Sequence, residues 1–426
     1  MFPTVWDRRQ LEACRDTWRN RYQVELAEPS DADCPADLDV LGYIDELVAR
    51  YAGRIHGVMS SSDYPGATVA GALATRLGLP GCPPATVIRC SHKYYSRLAQ
   101  REAVPEATAA FELLDPREPG AGDPALAFPC FVKPVKGAFS ILSERIESPE
   151  ELRAFLARRA VADFVGEYMG VFNRLVAGLT DFEVNGSWFL AEELLHGTQV
   201  TVEGWVRDGE VGILGFVDSI LHPGRPCFAR FDYPSALRPE ILETMADVAR
   251  RVAVHLGLSD TLFNIEMIYE AATDRVRIVE INPRMCGQFA DLYEKVDGVN
   301  GYQLALALAT GDPLPEPAPR RPRTALATSF PLRVFTPSRV LAAPDAATVE
   351  RAEASIPGAL VWSECSEGEN LERFEDEDGH SSRYCVVNLG GPTRRELLAR
   401  LDRIESALGF RFEPLAGRGQ EASRPR

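Results

Sequence analysis

The sequence predicts a multidomain protein of α/β and α+β type, and three observations carry that expectation. The chain has 426 residues, 45% of them hydrophobic and 25% charged, which is ordinary for a soluble globular protein and long enough for two to four compact domains. Its first ninety residues alternate short apolar runs with helical periodicity, as an α/β unit does. Further on, the segment Leu262–Arg284 (LFNIEMIYEAATDRVRIVEINPR) interleaves apolar and polar residues on both sides of Ala271–Asp274, the pattern of two strands joined by a short turn.

Taken in order, Ile55–Met59 is expected to be a short strand, with Ser60-Ser-Ser-Asp63 opening a helix that runs to Arg76 and closes at Gly78. Ser91–Arg101 reads as a helix, Thr108–Leu113 as a strand, and Phe128–Val135 as an apolar strand that carries Lys133. A turn at Lys136–Ser140 precedes a helix with Ser148 as its cap, Pro149 at its first position and Glu151 completing a capping box. Trp188–Leu195 is a strand, and Pro239–Leu256 and Gly298–Thr310 are amphipathic helices, the latter ended by Gly311. The proline-rich run 315–323 marks a boundary. Beyond it, Thr324–Val334 and Tyr384–Asn388 are expected strands and Thr393–Leu408 a helix. The boundaries are thus 1–90, 91–195, 196–315 and 324–415, with 416–426 a disordered tail.

Composition narrows the function. The net charge of −16 argues against a nucleic-acid partner or an anionic membrane surface. No apolar run approaches the roughly 18 residues of a membrane span, and the charged beginning of the chain is unlike a secretory signal. Nine cysteines without a Cys-x-x-Cys pair fit a reducing cytoplasm rather than a zinc site or a disulfide framework. Lysine and arginine total 46, yet only Lys93, Lys133, Lys136 and Lys295 are lysines. Where arginine has replaced lysine nearly everywhere, a surviving lysine marks a place for a compact ammonium, such as one among phosphate oxygens. Lys133, inside an apolar strand, is the clearest case; Lys295 reads as ordinary surface.

The hairpin carries the chemistry. With its turn near Thr273, Glu266 lies opposite Glu280, roughly 5 Å away at Cβ, where like charges destabilise a sheet. Two carboxylates with Asn282 two residues on form an all-oxygen set suited to Mg²⁺ or Mn²⁺. Arg284 then follows Pro283 as a fixed positive charge. Read alone, the same hairpin also fits two solvent-facing glutamates at a sheet edge.

Glu280-Ile-Asn-Pro-Arg284 with Glu266 on the preceding strand resembles the ATP-grasp superfamily, nearest to carboxylate–amine ligases of the L-amino acid ligase type with a biotin-carboxylase-like layout. That resemblance implies an N-terminal α/β domain, an ATP-grasp lid and base, and a small C-terminal lobe. It implies ATP and Mg²⁺ (or Mn²⁺) as cofactors, with Glu266, Glu280 and Asn282 as metal ligands. Lys93 and Lys133 correspond to lysines on the phosphates, and Gly137 and Ser140 to a phosphate-covering loop, here with Ala138 and Phe139 between them. Glu192 corresponds to a side-chain contact with the adenine amino group, Glu193 and Leu195 to backbone contacts with the ring. Ile268 and Ile278, on the glutamate face, are candidates for the adenine floor. Glu203 matches an acidic position facing the phosphoryl cleft, and Arg284 the group that meets a developing oxyanion. Arg225, Arg230 and Asp232, in a loop of variable type, are candidate substrate contacts. The implied activity is ADP-forming ligation of a carboxylic acid, such as an amino acid, to an amine through an acyl phosphate, with small-molecule partners only. A homodimer is an open assembly. The alternatives are a bicarbonate-using carboxylase and a non-catalytic nucleotide-binding module.

Overall fold

The computed structural model describes residues 1–27, 35, 37–118, 124–137, 141–225, 227–315, 324–372, 374 and 379–415. The chain divides into two compact units, one of Met1–Ser219 with Asp232–Arg323, the other of Ile220–Phe231 with Thr324–Arg426. The expected tail at 416–426 lies outside the described residues.

The first unit holds two sheets. Strands β1 (Phe111–Leu114), β2 (Cys130–Pro134), β3 (Glu144–Ile146) and β4 (Phe189–Glu193) form an antiparallel sheet in the order β1-β4-β2-β3. The helix Pro149–Leu156 follows β3, with the Ser148 hydroxyl accepting from the Glu151 N–H. The Glu151 carboxylate reaches back to the Glu147 N–H rather than to the cap residue itself. Strands β5 (Thr198–Arg207), β6 (Glu210–Leu221), β8 (Thr261–Glu270) and β9 (Arg275–Asn282) come later, with β6, β5, β8 and β9 antiparallel neighbours in that order, while β7 (Phe228–Tyr233) falls mostly in the second unit.

Behind β5, β8 and β9 lies the helix Pro239–Leu256. It starts with proline where no N–H is needed and stops at Gly257, whose φ of 73° suits a left-handed cap. Its face Ile241, Met245, Val248, Ala249, Val252 and Leu256 packs on Val200, Val202, Phe263, Ile265 and Met267. Alternation along the strands therefore buries the apolar set and leaves the polar residues together on the opposite face.

The N-terminal part departs from expectation. Among its described residues, 1–90 contains helices and no strand beyond a single parallel bridge, Phe2 with Ser60. The run Ile55–Met59 is too short to recruit a second strand, and its helix begins later than expected, at Gly66. Phe2, Ile44, Val69, Leu73 and Ile88 instead join one core with Val132, Phe155, Phe172 and Phe189 of the β1–β4 layer.

The second unit has Leu326–Val334 and Leu360–Ser363 flanking Ser382–Gly391, all antiparallel, and a small sheet of Ser338–Ala342 with Asn370–Leu371 and Arg411–Pro414. Helix Arg394–Leu408, capped by the Thr393 hydroxyl, packs Leu397, Ile404 and Leu408 on Val387 and Leu389.

Candidate active site

The hairpin register is the one the turn predicts: Glu266 stands opposite Glu280, and Asn264 opposite Asn282. Strand β5 continues the face, with Gln199, Thr201 and Glu203 opposite Ile268, Glu266 and Asn264. The pairing then shifts, because Met267 meets Ile278 and leaves Val279 as an extra residue, a β-bulge between the two halves of the hairpin. This corrects the reading of Ile278. The bulge reverses its side, so it packs with Met267 in the core, and Arg277 takes the place opposite Ile268. A second bulge lies between Glu203 and Gly204, where any Cβ on Gly204 would strike the Gly212 carbonyl and the Phe263 ring.

Two opposed carboxylates in such a place need compensation. Burial, and next the Glu280 charge, push the Glu266 carboxyl up to about 7. Gln199 Nε2 donates to Glu266 Oε2 at 2.9 Å, and Lys93 Nζ sits 3.1 Å from Glu280 Oε1. Asn282 Nδ2 is turned to Asn264 Oδ1 at 3.5 Å, so its carbonyl oxygen remains for a cation. Two carboxylates and one amide oxygen are a donor set for a hard divalent ion.

Lys93 is placed by a break between two helices. His92 is extended (ψ 97°), separating Pro84–Ser91 from Lys93–Ala103, and the Lys93 N–H donates to the Val135 carbonyl at 2.7 Å. A lysine at the first position of a helix faces the positive end of the helix dipole, which costs about 0.3–1 kcal/mol. Glu280 and the Gly137 carbonyl, 3.2 Å from Nζ, offset that.

Lys133 and Lys136 leave the end of β2 on the same site. Lys133 Nζ lies 2.6 Å from Glu192 Oε2. Lys136 Nζ lies 2.7 Å from Asp63 Oδ2 and over the rings of Tyr64 and Phe172. Asp63 Oδ1 is 3.9 Å from Arg284 Nε, and both atoms are buried without a hydrogen-bond partner. Among its neighbours, the ammonium of Lys136 and the guanidinium of Arg284 hold the Asp63 carboxyl well below the usual range, although burial opposes them. Among the described residues, Asn264 Nδ2 is likewise buried and unpartnered, and Glu203 Oε2 makes no well-formed hydrogen bond.

Glu203 is fully buried, its Oε1 accepting from the Cys286 N–H at 2.7 Å. Burial pushes its carboxyl up to about 7, and the Cys286 N–H, the Tyr293 hydroxyl and the Arg284 charge pull it back only in part. Between pH 4.5 and 7 the folded protein thus keeps a proton that the unfolded chain has released, so this group favours folding at low pH and the benefit is lost as pH rises through 7. Complete realisation is worth on the order of 3 kcal/mol. Thermal melts without nucleotide are expected to show Glu203→Gln gaining on the native protein from pH 5 to 8. Parallel curves would assign the pH dependence to other groups.

Strand β4 gives a further correction. Both oxygens of Glu192 are engaged by buried cations, Oε1 by Arg97 Nε at 2.6 Å and Oε2 by Lys133, so this side chain is not presented to an adenine amino group. Glu193 meets Arg277 through its carboxylate and donates its N–H to the Ala110 carbonyl. Leu195 lies just past the strand end, half-buried, and Ile268 is on the glutamate face. Gly137 is in place beside Lys93, whereas Ser140 lies outside the described residues.

The substrate candidates do not gather within one unit. Arg225 and Arg230 belong to the second, where the Arg225 guanidinium lies 4.3 Å from the Phe335 ring centroid, and Asp232 is buried in the first. Lys295 is not surface: it is buried and paired with Asp291 one turn away. Sequence reasoning missed Arg97, Arg277 and Asn264, whereas the turn Ser60–Asp63, read from the sequence as one that could meet a ligand, does bring Asp63 to Lys136 and Arg284. Arg97 follows Lys93 by four residues on one helix face, and Asn264 precedes Glu266 by two on one strand face, spacings that carried the signal.

Comparison with known proteins agrees with this geometry. Residues 126–291 match the model of the ATP-grasp domain. Carnosine synthase 1 of Gallus gallus is 30% identical over 362 residues, which is 79% of this chain and 35% of that protein. Formate-dependent phosphoribosylglycinamide formyltransferase of Leptothrix cholodnii is 29% identical over 170 residues, 38% of this chain and 36% of that one. The chain therefore spans about a third of the length of these curated relatives. The crystal structure of L-amino acid ligase from Bacillus licheniformis shares the fold with a TM-score of 0.69 at 17% identity, over 92% of this chain and 88% of that one. The domain match runs from just before β2 through the carboxylate hairpin, so residues 126–291 form an ATP-grasp domain.

Proposed function

We propose that the chain is an ADP-forming carboxylate–amine ligase that joins a carboxylic acid of the amino-acid class to an amine. The observation that carries the reading is the pairing of Glu266 with Glu280 in one cleft with Lys93, Lys133, Lys136 and Arg284. A nucleotide-binding module has no use for a buried guanidinium at the end of the metal strand. The likeness to carnosine synthase 1 and to an L-amino acid ligase supports amide formation as the reaction class.

Glu266, Glu280 and Asn282 would hold Mg²⁺ or Mn²⁺, which supplies charge neutralisation to the nucleotide phosphates. Lys93 and Lys133 bring point charges to phosphate oxygens, and the carbonyls of Glu193 and its neighbours offer acceptors to adenine. An oxygen of the substrate carboxylate attacks the γ-phosphorus, the bond to the bridging oxygen breaks, and ADP takes that electron pair. The amine nitrogen then attacks the carbonyl carbon of the acyl phosphate. Arg284 faces the oxyanion that develops, and phosphate departs with the acid's original oxygen. Glu203, held near neutrality by burial on the same face, is the acceptor we assign to the proton leaving nitrogen.

ATP turnover with amino acids, singly and in pairs, tests the reading. ADP and phosphate are the expected products, with oxygen moving from acid to phosphate, and hydroxylamine should trap a hydroxamate when the amine is left out. AMP and pyrophosphate would refute the acyl-phosphate route. Turnover that needs bicarbonate alone would make the chain a carboxylase.

A further inference from the structure

We propose that Arg97 is a positioning residue for the nucleotide, neutralising Glu192 so that the cluster of Arg97, Glu192 and Lys133 presents a net positive charge to phosphate. The inference rests on the ATP site proposed above and concerns a residue outside it. Arg97 is almost completely buried, and its guanidinium is divided among three elements. Nε donates to Glu192 Oε1 on β4 at 2.6 Å, Nη1 to Gln100 Oε1 on its own helix at 2.7 Å, and Nη2 to the carbonyl of Val279 at 2.8 Å. Val279 is the extra residue of the bulge beside Glu280, so one side chain ties β4 to β9. Gln100 is fixed in turn by its bond to Ser96 Oγ at 2.9 Å.

Charge makes the arrangement more than a staple. Lys133 and Arg97 share a single carboxylate, one on each oxygen, with side-chain exposures of 8% for Lys133, 2% for Arg97 and 5% for Glu192. In so dry a place an unshared Glu192 would cancel the lysine, and an incoming phosphate would meet a neutral pair. With Arg97 present the cluster keeps one net positive charge. The planar fork suits Arg97 because it must serve three acceptors at fixed angles, and the ammonium suits Lys133 because it must turn to a ligand.

The arithmetic of the cluster gives the test. Arg97→Met leaves it neutral, and Arg97→Met with Glu192→Gln restores the net charge of the native protein. Calorimetric titration with ATP and Mg²⁺ is expected to show at least about a tenfold loss of affinity in Arg97→Met, roughly 1.4 kcal/mol. The double variant should recover to within about threefold of native, and Glu192→Gln alone should bind as well as native or better. In steady state the KM for ATP should rise while that for the accepted acid stays within about twofold. Arg97→Lys, which keeps the charge but not the fork, should bind ATP better than Arg97→Met and serves if the latter does not fold. A double variant no better than Arg97→Met would overturn the proposal and leave Arg97 a structural tie. A native protein that binds no ATP would instead refute the function proposed above.

Discussion

Glu280→Gln is expected to abolish magnesium-dependent ATP turnover while the chain stays folded. Groups that only orient a metal ligand cost 10–100-fold when lost, so loss of a ligand itself should exceed about a hundredfold. The fold should survive because glutamine fills the same volume. Two electrostatic changes also oppose each other in the metal-free protein: repulsion with Glu266 disappears, and so does the contact with Lys93 Nζ at 3.1 Å. The burial of Glu266, with a carboxyl at about 7, says that the repulsion is already partly relieved by protonation, so neither change dominates. Thermal shift separates the metal from the nucleotide. ATP alone should stabilise native and variant proteins similarly, and the further increment from Mg²⁺ should vanish in Glu280→Gln. An undiminished increment, or full turnover, would remove Glu280 from the metal site.

What the sequence made legible follows from how local each signal is. The pairing of Glu266 with Glu280 could be read because a hairpin turn fixes register on both sides of it. The bulge at Val279 could not, because nothing in Arg-Ile-Val-Glu announces an extra residue; it is paid for by tertiary bonds such as that from Arg97. Its consequence was the exchange of Ile278 for Arg277 on the glutamate face. Lysine scarcity pointed to Lys133 without any structure, since rarity is a property of the chain as a whole, but it gave Lys136 no role and left Lys295 as surface. The engagement of Glu192 by Arg97 and Lys133 was hidden, because a buried arginine looks like any polar residue on an amphipathic helix until its partners are known. The N-terminal strand failed for a similar reason. A five-residue apolar run is a strand only if a partner lies beside it, and among the described residues the bridge found there is a single one, Phe2 with Ser60 just past the run. Membership of Arg225 and Arg230 in the second unit is likewise a matter of long-range packing.

Lys133 provides the second large effect. Lys133→Ala should weaken ATP binding by tenfold or more, about 1.4 kcal/mol, within the range of one charged hydrogen bond. It should also leave Glu192 with Arg97 as its one remaining cation, a neutral pair where the native cluster carries a net charge. Lys133→Arg keeps the charge and is still not expected to rescue. The Lys133 side chain is 8% exposed and its ammonium lies 2.6 Å from a carboxylate that already holds one guanidinium. A second planar fork in that volume must displace Arg97 or turn away from the phosphates, and overpacking a filled site costs about 1–3 kcal/mol. The two substitutions should therefore fail by different routes. Lys133→Ala should lose ATP affinity with little change in melting temperature, and Lys133→Arg should lose affinity and melt several degrees lower. Equal ATP affinity in Lys133→Arg and the native protein would mean that the ammonium is not required as a point charge. Normal turnover in Lys133→Ala would show that β2 does not carry a phosphate ligand at all.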